Sequence, residues 1–211
     1  IFPPDGYLKK LQAWCKERDI LFIVDEVQAS FGRTGKFFAI EWEDLRPNLL
    51  CLGKGIGSGI PTSAVMGEGR LFEALAPGEM SSTTGGNPVS CAAGLAVLDI
   101  IEKEKLVENS EKIGKMMKDR LNKCAEKSSY IGDVRGRGLV MGIEFVADKK
   151  TKEPSAEKTV EFINRCAEKG VLFGRVGWFG NVIRVAPPLV ITEAEADEAM
   201  AVIEKAIADM G

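Results

Sequence analysis

Residues 20–28 read ILFIVDEVQ, an apolar, β-branched run that ends abruptly in charged and polar side chains. Such a run is typical of a strand that is covered on both faces in an α/β sheet. Ligands of these sheets bind at the carboxyl ends of the strands, where Asp25 lies. A glycine-rich segment, GKGIGSG at Gly53–Gly59, follows a second apolar run and holds Lys54. A carboxylate and an amine at neighbouring strand ends are suited to hold the two ends of an aromatic aldehyde.

Both residues also have a purely structural interpretation. Lys54 alone is read as a surface lysine in a flexible loop, and Asp25 alone as a helix cap; the surrounding motifs favour chemistry instead. We expect the glycines beside Lys54 to give turn geometry and to leave its amine uncrowded. The segment is no P-loop, because Ser or Thr does not follow the lysine, and the sequence holds no G-x-G-x-x-G.

Composition narrows the function classes. The chain has 211 residues, is 45% apolar, and carries a net charge of -3. This balance gives no reason to expect nucleic acid or a membrane as partner. Histidine is absent, which excludes Ser-His-Asp and Cys-His catalysis and histidine-based metal sites. The five cysteines form no C-x-x-C pair, so we expect reduced thiols, no metal site and a cytoplasmic protein.

Hydrophobic periodicity predicts two regions with different orders of helices and strands. The first alternates helices and strands, which indicates a largely parallel α/β sheet. The second, from about residue 105, is read as a small α+β domain, and no element is assigned to residues 131–138. The predicted helices are 5–18, 88–103, 108–127, 156–169 and 192–210, the last with a capping box at Thr192 and Glu195. The predicted strands are 20–24, 49–52, 63–66, 139–145, 171–173 and 182–185.

Two further segments are candidates for anion binding. Residues 81–88, SSTTGGNP, open the small-residue helix, and hydroxyls and N–H groups at a helix N-terminus form a phosphate seat. These side chains also serve as helix caps, and both roles are compatible. Arg184 lies inside the apolar strand NVIRVAPPL, where a buried charge needs a partner. The partner is either a structural carboxylate or a substrate carboxylate held by two parallel bonds.

Taken together, these motifs resemble the class III aminotransferases, which use pyridoxal 5'-phosphate on the fold type I scaffold. The resemblance covers nearly the whole chain and rests on six ordered segments: LFIVDEVQ at 21–28, FGRTG at 31–35, GKGIGSGIP at 53–61, STTGGNP at 82–88, RGRGL at 135–139 and RVAPPL at 184–189. It implies an α/β fold with residues 1–105 as the C-terminal part of the large cofactor domain. Residues 106–211 would be the small C-terminal α+β domain.

The resemblance also implies roles for individual residues. Lys54 would form the Schiff base with the cofactor and later carry the proton between substrate and cofactor carbons. Asp25 would pair with the pyridinium nitrogen, Gln28 would bond the phenolic oxygen, and Thr83 would bind the phosphate from the neighbouring subunit of a homodimer. Arg184 would bind the substrate carboxylate. Met80 and Thr84 depart from the family, which often has a histidine and an aromatic residue at these places.

The expected reaction moves an amino group between an ω-amino acid or amino acid and a 2-oxo acid such as 2-oxoglutarate or pyruvate. One alternative is an amino-acid racemase or epimerase of the same family. Because family members are longer, the chain resembles a C-terminal half, and we expect a missing N-terminal half to pack on it. The other alternative is therefore an inactive half that needs this partner.

Overall fold

The structure is a computed structural model that describes residues 1–210 in two compact units. The first unit comprises Pro3–Val107. The second comprises Ile1–Phe2 and the chain from Glu108 onward.

A small mixed sheet organises the first unit. Its three strands are β1 (Ile23–Asp25), β2 (Leu49–Leu52) and β3 (Ala64–Gly67), in the order β1-β2-β3. β1 and β2 are parallel, whereas β2 and β3 are antiparallel. The sheet is thus less parallel than the alternation of elements predicts. The physical reason is the β2–β3 connection, which holds only a short 3₁₀ turn, Lys54–Ile56, while a parallel return needs a longer crossover.

Helices and turns complete this unit. Its α-helices are α1 (Tyr7–Glu17), α2 (Gly69–Glu73) and α3 (Pro88–Lys103), and a second 3₁₀ helix spans Ala39–Glu43. Cys15, Phe22 and Leu45 form a small buried cluster here. Residues 20–22 are not in a strand, because Phe22 is held by Asn48, whose side-chain oxygen accepts from the Phe22 N–H at 2.7 Å. β1 is also not covered on both faces as expected, since Ile23 is 53% exposed.

An antiparallel sheet organises the second unit. Its strands are β4 (Ile131–Arg137), β5 (Val140–Phe145), β6 (Arg175–Val176) and β7 (Val182–Val185), in the order β4-β5-β7-β6. Its helices are α4 (Leu106–Lys127), α5 (Ala156–Ala167) and α6 (Glu193–Ala208). The strand predicted at 171–173 is absent from the described chain. Val171 instead donates its N–H to the Cys166 carbonyl at 3.0 Å, and the Phe173 ring packs on Phe162.

The second unit has the larger core. Met141, Ile143 and Phe145 of β5, with Ile183 and Val185 of β7, point to one face of the sheet and are buried. Residues of all three helices pack against this face, among them Met117 of α4, Phe162 of α5 and Met200 of α6. The capping box of α6 is confirmed: Thr192 Oγ1 accepts from the Glu195 N–H, and the Glu195 carboxylate accepts from the Thr192 N–H.

Candidate active site

Two neighbouring strand ends bring Asp25 and Lys54 to the same edge of the first sheet. β1 and β2 run parallel with Asp25 opposite Cys51, and the Glu26 N–H donates to the Cys51 carbonyl at 2.9 Å. Asp25 is the last residue of β1, and Lys54 starts the turn just after β2. This is the edge of an α/β sheet at which ligands bind.

Gln28 joins this pair through a direct contact. The Lys54 ammonium donates a hydrogen bond to Gln28 Oε1 at 2.7 Å, and both side chains are exposed. Asp25 Oδ1 accepts from the Val27 N–H at 2.9 Å, which folds the chain back after the strand. Three of the predicted site residues, Asp25, Gln28 and Lys54, therefore lie at the same edge of the first sheet.

The Lys54 backbone adopts a left-handed conformation, with φ at 42°. For a residue with a Cβ this region costs roughly 1–2 kcal/mol. Hydrogen bonds of the 3₁₀ turn hold it there: the Ile56 N–H donates to the Gly53 carbonyl, and the Gly57 N–H to the Lys54 carbonyl.

The glycines around Lys54 are needed for close packing as well as for the turn. A Cβ on Gly53 would lie 3.1 Å from Val27 Cγ1, and one on Gly55 would lie 3.3 Å from Phe31 Cδ2. A Cβ on Gly57 would lie 2.0 Å from the Ile60 carbonyl oxygen, which is incompatible with this turn. The amine end of Lys54 stays exposed.

Glu26 is a structural residue of the site that sequence reasoning missed. Its side chain is almost fully buried, and its two carboxylate oxygens accept from the N–H groups of Ala39 and Ile40 at 2.8 and 2.7 Å. Burial raises the pKa of Glu26, while these two hydrogen bonds act in the opposite direction. The available signal was strand alternation, which, extended one residue past β1, predicts opposite faces for Asp25 and Glu26; the structure has Asp25 exposed and Glu26 buried.

Thr83 lies in the same unit, in the segment that leads into α3. The cap of α3 is Asn87, which accepts from the Ser90 N–H at 2.9 Å. Thr83 is exposed, and within residues 1–210 its hydroxyl has no hydrogen-bond partner. The helix packs on the Lys54 turn through its small face, since a Cβ on Gly94 would lie 3.4 Å from the Ile56 carbonyl oxygen.

Arg184 lies in the second unit, on β7. It is exposed, so the prediction of a buried arginine is wrong. Ile183 and Val185 face the core, and Arg184 points to the opposite face of the sheet, across from Gly142. In the described part of the chain the Arg184 guanidinium has no ion-pair or hydrogen-bond partner.

The described residues hold neither a membrane-spanning helix nor a metal-binding cluster. Across 1–210, no helix has the length and apolar character that a bilayer crossing requires. Over the same range, no group of three or more Cys, Asp or Glu side chains is arranged to hold a metal ion.

Comparison with known proteins places the chain in a family. Residues 1–207 match the model of Aminotransferase class-III. The chain is 45% identical to alanine–glyoxylate aminotransferase 2 homolog 2 of Arabidopsis thaliana, over 91% of this chain and 40% of the relative. It is 40% identical to a probable 4-aminobutyrate aminotransferase of Bacillus subtilis, over 97% of this chain and 47% of the relative. It is also 41% identical to an alanine/serine racemase of Pyrococcus horikoshii, over 99% of this chain and 44% of the relative.

A solved structure agrees with these relatives. The ornithine aminotransferase of Toxoplasma gondii, which was crystallised with partial occupancy of pyridoxal phosphate at its active site, superposes with a TM-score of 0.89 at 34% identity. The match covers 98% of this chain and 47% of that one. The chain thus spans less than half the length of these relatives. The likeness shows a fold type I fragment, and the chain belongs to the class III family of pyridoxal-phosphate-dependent aminotransferases.

Proposed function

We propose that this chain is the C-terminal portion of an aminotransferase that moves an amino group between an amino acid, or an ω-amino acid, and a 2-oxo acid such as 2-oxoglutarate or pyruvate. The contact between the Lys54 ammonium and Gln28 Oε1, beside the strand end that carries Asp25, supports this function. Residues 1–105 are assigned to the large cofactor domain and 106–211 to the small domain. A cytoplasmic location stays a prediction.

The donor set at this edge fits pyridoxal phosphate. The cofactor has an aldehyde, a phenolic oxygen and a ring nitrogen, and the site offers an amine, an amide and a carboxylate. When bound, the cofactor supplies an electron sink for bond breaking at a substrate carbon. Lys54 would hold the cofactor covalently and would carry a proton at its amine. Asp25 would pair with the ring nitrogen, and Gln28 would orient the phenolic oxygen.

Reductive trapping tests the role of Lys54. The chain is mixed with pyridoxal phosphate, reduced with borohydride, and mapped by mass spectrometry. We expect label at Lys54 in preference to Lys150, an exposed lysine of the second unit. In Asp25→Asn and Gln28→Ala variants the preference should fall while label at Lys150 stays constant. Equal label at both lysines, in the chain alone and with the rest of the enzyme present, would reject the assignment.

Thr83 is proposed to bind the cofactor phosphate of the neighbouring subunit in a homodimer. Its exposed hydroxyl, without a partner in the described chain, supports this role. A mixing experiment with full-length enzyme tests it. Lys54→Ala and Thr83→Ala should each be inactive, and if the site is shared their mixed dimer has one site with both residues intact. Recovered activity supports the shared site, and no recovery means that Thr83 acts in its own subunit. Thr84→Ala is the matched control.

Arg184 is proposed to bind the substrate carboxylate. Its exposure and its free guanidinium support this role, because a partner supplied by the substrate is then available. In the full-length enzyme, Arg184→Gln should lower kcat/KM for carboxylate substrates. The loss of transition-state stabilisation should be about 2–5 kcal/mol. Amines without a carboxylate should be unaffected. Arg175→Gln, an exposed arginine on the neighbouring strand β6, is the control.

Racemisation is the second candidate function, favoured by the likeness to the alanine/serine racemase. The two reactions share the proton transfer at Lys54 and differ in the fate of the amino group. A substrate deuterated at the α-carbon separates them. Formation of a 2-oxo acid supports transfer, whereas loss of deuterium with racemisation and no 2-oxo acid supports the racemase.

An N-terminal polypeptide is proposed to complete the first unit. Its strands β1 and β3 are the edges of the described sheet, and Ile23, Val65 and Met66 are 53, 49 and 50% exposed. Apolar side chains of this exposure on a sheet are typical of a surface that another segment covers. Adding the relatives' N-terminal half in trans should protect β1 and β3 amides from hydrogen exchange. Unchanged exchange, with no complex in size-exclusion chromatography, would contradict the proposal.

A further inference from the structure

The loop between β1 and the Ala39–Glu43 helix is fixed at both ends. At its start, Glu26 binds the N–H groups of Ala39 and Ile40, so the loop closes on itself. At its centre, the Gly32 N–H donates to the Phe37 carbonyl at 3.3 Å. Three aromatic rings, those of Phe31, Phe37 and Phe38, pack edge to face with centroids 4.9–6.1 Å apart.

This fixed loop contacts the chain on both sides of Lys54. Val27 lies against Gly53, and the ring of Phe31 lies against Gly55, each within 3.4 Å of the position a Cβ would take. Phe31 is only 4% exposed, and its backbone is left-handed, with φ at 57°. Gln28, the partner of the Lys54 ammonium, lies between Val27 and Phe31 in the sequence.

We propose that Phe31 is a positioning residue for Lys54, with Glu26 as the anchor that fixes the Phe31 loop. The inference rests on the proposed function, since it explains how the reactive amine is placed. The Lys54 side chain is long and exposed, so its placement depends on its backbone and on the contact of its ammonium with Gln28. The contacts at Gly53 and Gly55 hold that backbone, and Gln28 on the same loop holds the ammonium. Small displacements of a catalytic group cost up to a hundredfold in rate, which is why such placement matters.

Hydrogen exchange of the 211-residue chain tests the positioning without cofactor. The amides of Ile56, Gly57 and Ser58 close the Lys54 turn, and their protection is measured relative to β2 amides. Phe31→Ala should speed their exchange roughly tenfold relative to β2, because local opening no longer needs to break the ring contact. Phe31→Leu should restore most of the protection.

Phe22→Ala is the matched control. Phe22 is buried to a similar degree, at 8% exposure, and belongs to the separate cluster with Cys15 and Leu45. The Phe22→Ala substitution should destabilise the unit as a whole and leave the ratio of turn exchange to β2 exchange unchanged. If Phe31→Ala also leaves this ratio unchanged, Phe31 has no positioning role and the inference is wrong.

Borohydride trapping separates this inference from the proposed function. Where the parent chain takes label at Lys54, Phe31→Ala and Glu26→Gln should reduce it about tenfold, and Phe31→Leu should recover it. Unreduced label in Phe31→Ala overturns the positioning role while the proposed function stands. Absence of label in the parent, both alone and with the rest of the enzyme present, rejects the proposed function. The exchange ratio still decides whether Phe31 positions Lys54.

Discussion

Arg120 of α4 and Glu204 of α6 face each other through two parallel hydrogen bonds. Arg120 Nε donates to Glu204 Oε1 at 2.6 Å, and Nη2 donates to Oε2 at 2.8 Å. Asp197 accepts a further bond from Nη1 at 2.8 Å. The arginine thus ties two turns of α6 to α4 at the edge of the core.

Replacing Glu204 tests how much this ion pair between α4 and α6 contributes to stability. The hydrogen bond from Arg120 holds the pKa of Glu204 below its ordinary value. The charged pair therefore stabilises the fold above the unfolded pKa of about 4.3 and loses this contribution as pH falls through the lower folded pKa. Glu204→Gln should cost about 1 kcal/mol or less at pH 7, since the pair is partly exposed. In urea unfolding below about pH 3, parent and variant should converge. A cost that persists there would assign the effect to packing.

The cysteines should differ sharply in reactivity. Burial raises the pKa of the Cys166 thiol to about 11, and the pKa of Cys124 is also raised by burial. Cys91 is exposed on α3. Because the thiolate is the reactive form, iodoacetamide at pH 8 should label Cys91 first and Cys166 last. Mass spectrometry of tryptic peptides gives the order of labelling. In the unfolded chain the cysteines should be labelled at similar rates. Early labelling of Cys166 in the folded chain would mean that its helix is not packed as described.

Gly57 should be the least tolerant glycine of the Lys54 turn. Alanine there places a Cβ 2.0 Å from a backbone oxygen that cannot move freely. Gly57→Ala should cost about 1–3 kcal/mol or more in the free energy of unfolding. Gly69→Ala is the control, because at the start of α2 its Cβ would meet only a Glu73 carboxylate oxygen, at 3.9 Å, and the substitution should be neutral or stabilising by up to about 1 kcal/mol. Similar unfolding midpoints for both variants would show that the turn relaxes easily.

The capping box of α6 should contribute measurably to the second unit. Thr192→Ala removes the acceptor for the Glu195 N–H and should cost about 1 kcal/mol. Thr192→Ser keeps the hydroxyl and should cost less. Thermal unfolding monitored by circular dichroism compares the three chains. Equal melting temperatures for the alanine and serine variants would show that the cap contributes nothing.

Local sequence was sufficient to predict the bounds of an element when residues at its ends mark where it starts or stops. β2 is a short apolar run followed by glycine, and α3 begins at Asn87-Pro88, so both have the predicted bounds. β4 could not be predicted because its glycines and charges have no strand pattern of their own. Its pairing with β5 decides its structure.

The candidate site divides in the same way. Lys54 and Asp25 were predicted from residue type and strand ends, whereas Gln28 came only from the family resemblance; the structure has Gln28 in contact with Lys54 and Asp25 opposite Cys51. Glu26 was missed because its partners lie 13 and 14 residues further along the chain. The exposure of Arg184 depends on which face of β7 meets the helices, and the short run VIRV does not specify that face.

The left-handed backbone at Lys54 has a consequence for protein engineering. Glycine or asparagine fits this conformation better than lysine does, so a procedure that ranks substitutions by stability alone will favour replacing the lysine. The substitution it ranks highest would remove the only amine at this strand edge that contacts Gln28 in the described chain. Stabilisation of this protein therefore has to begin by holding position 54 constant.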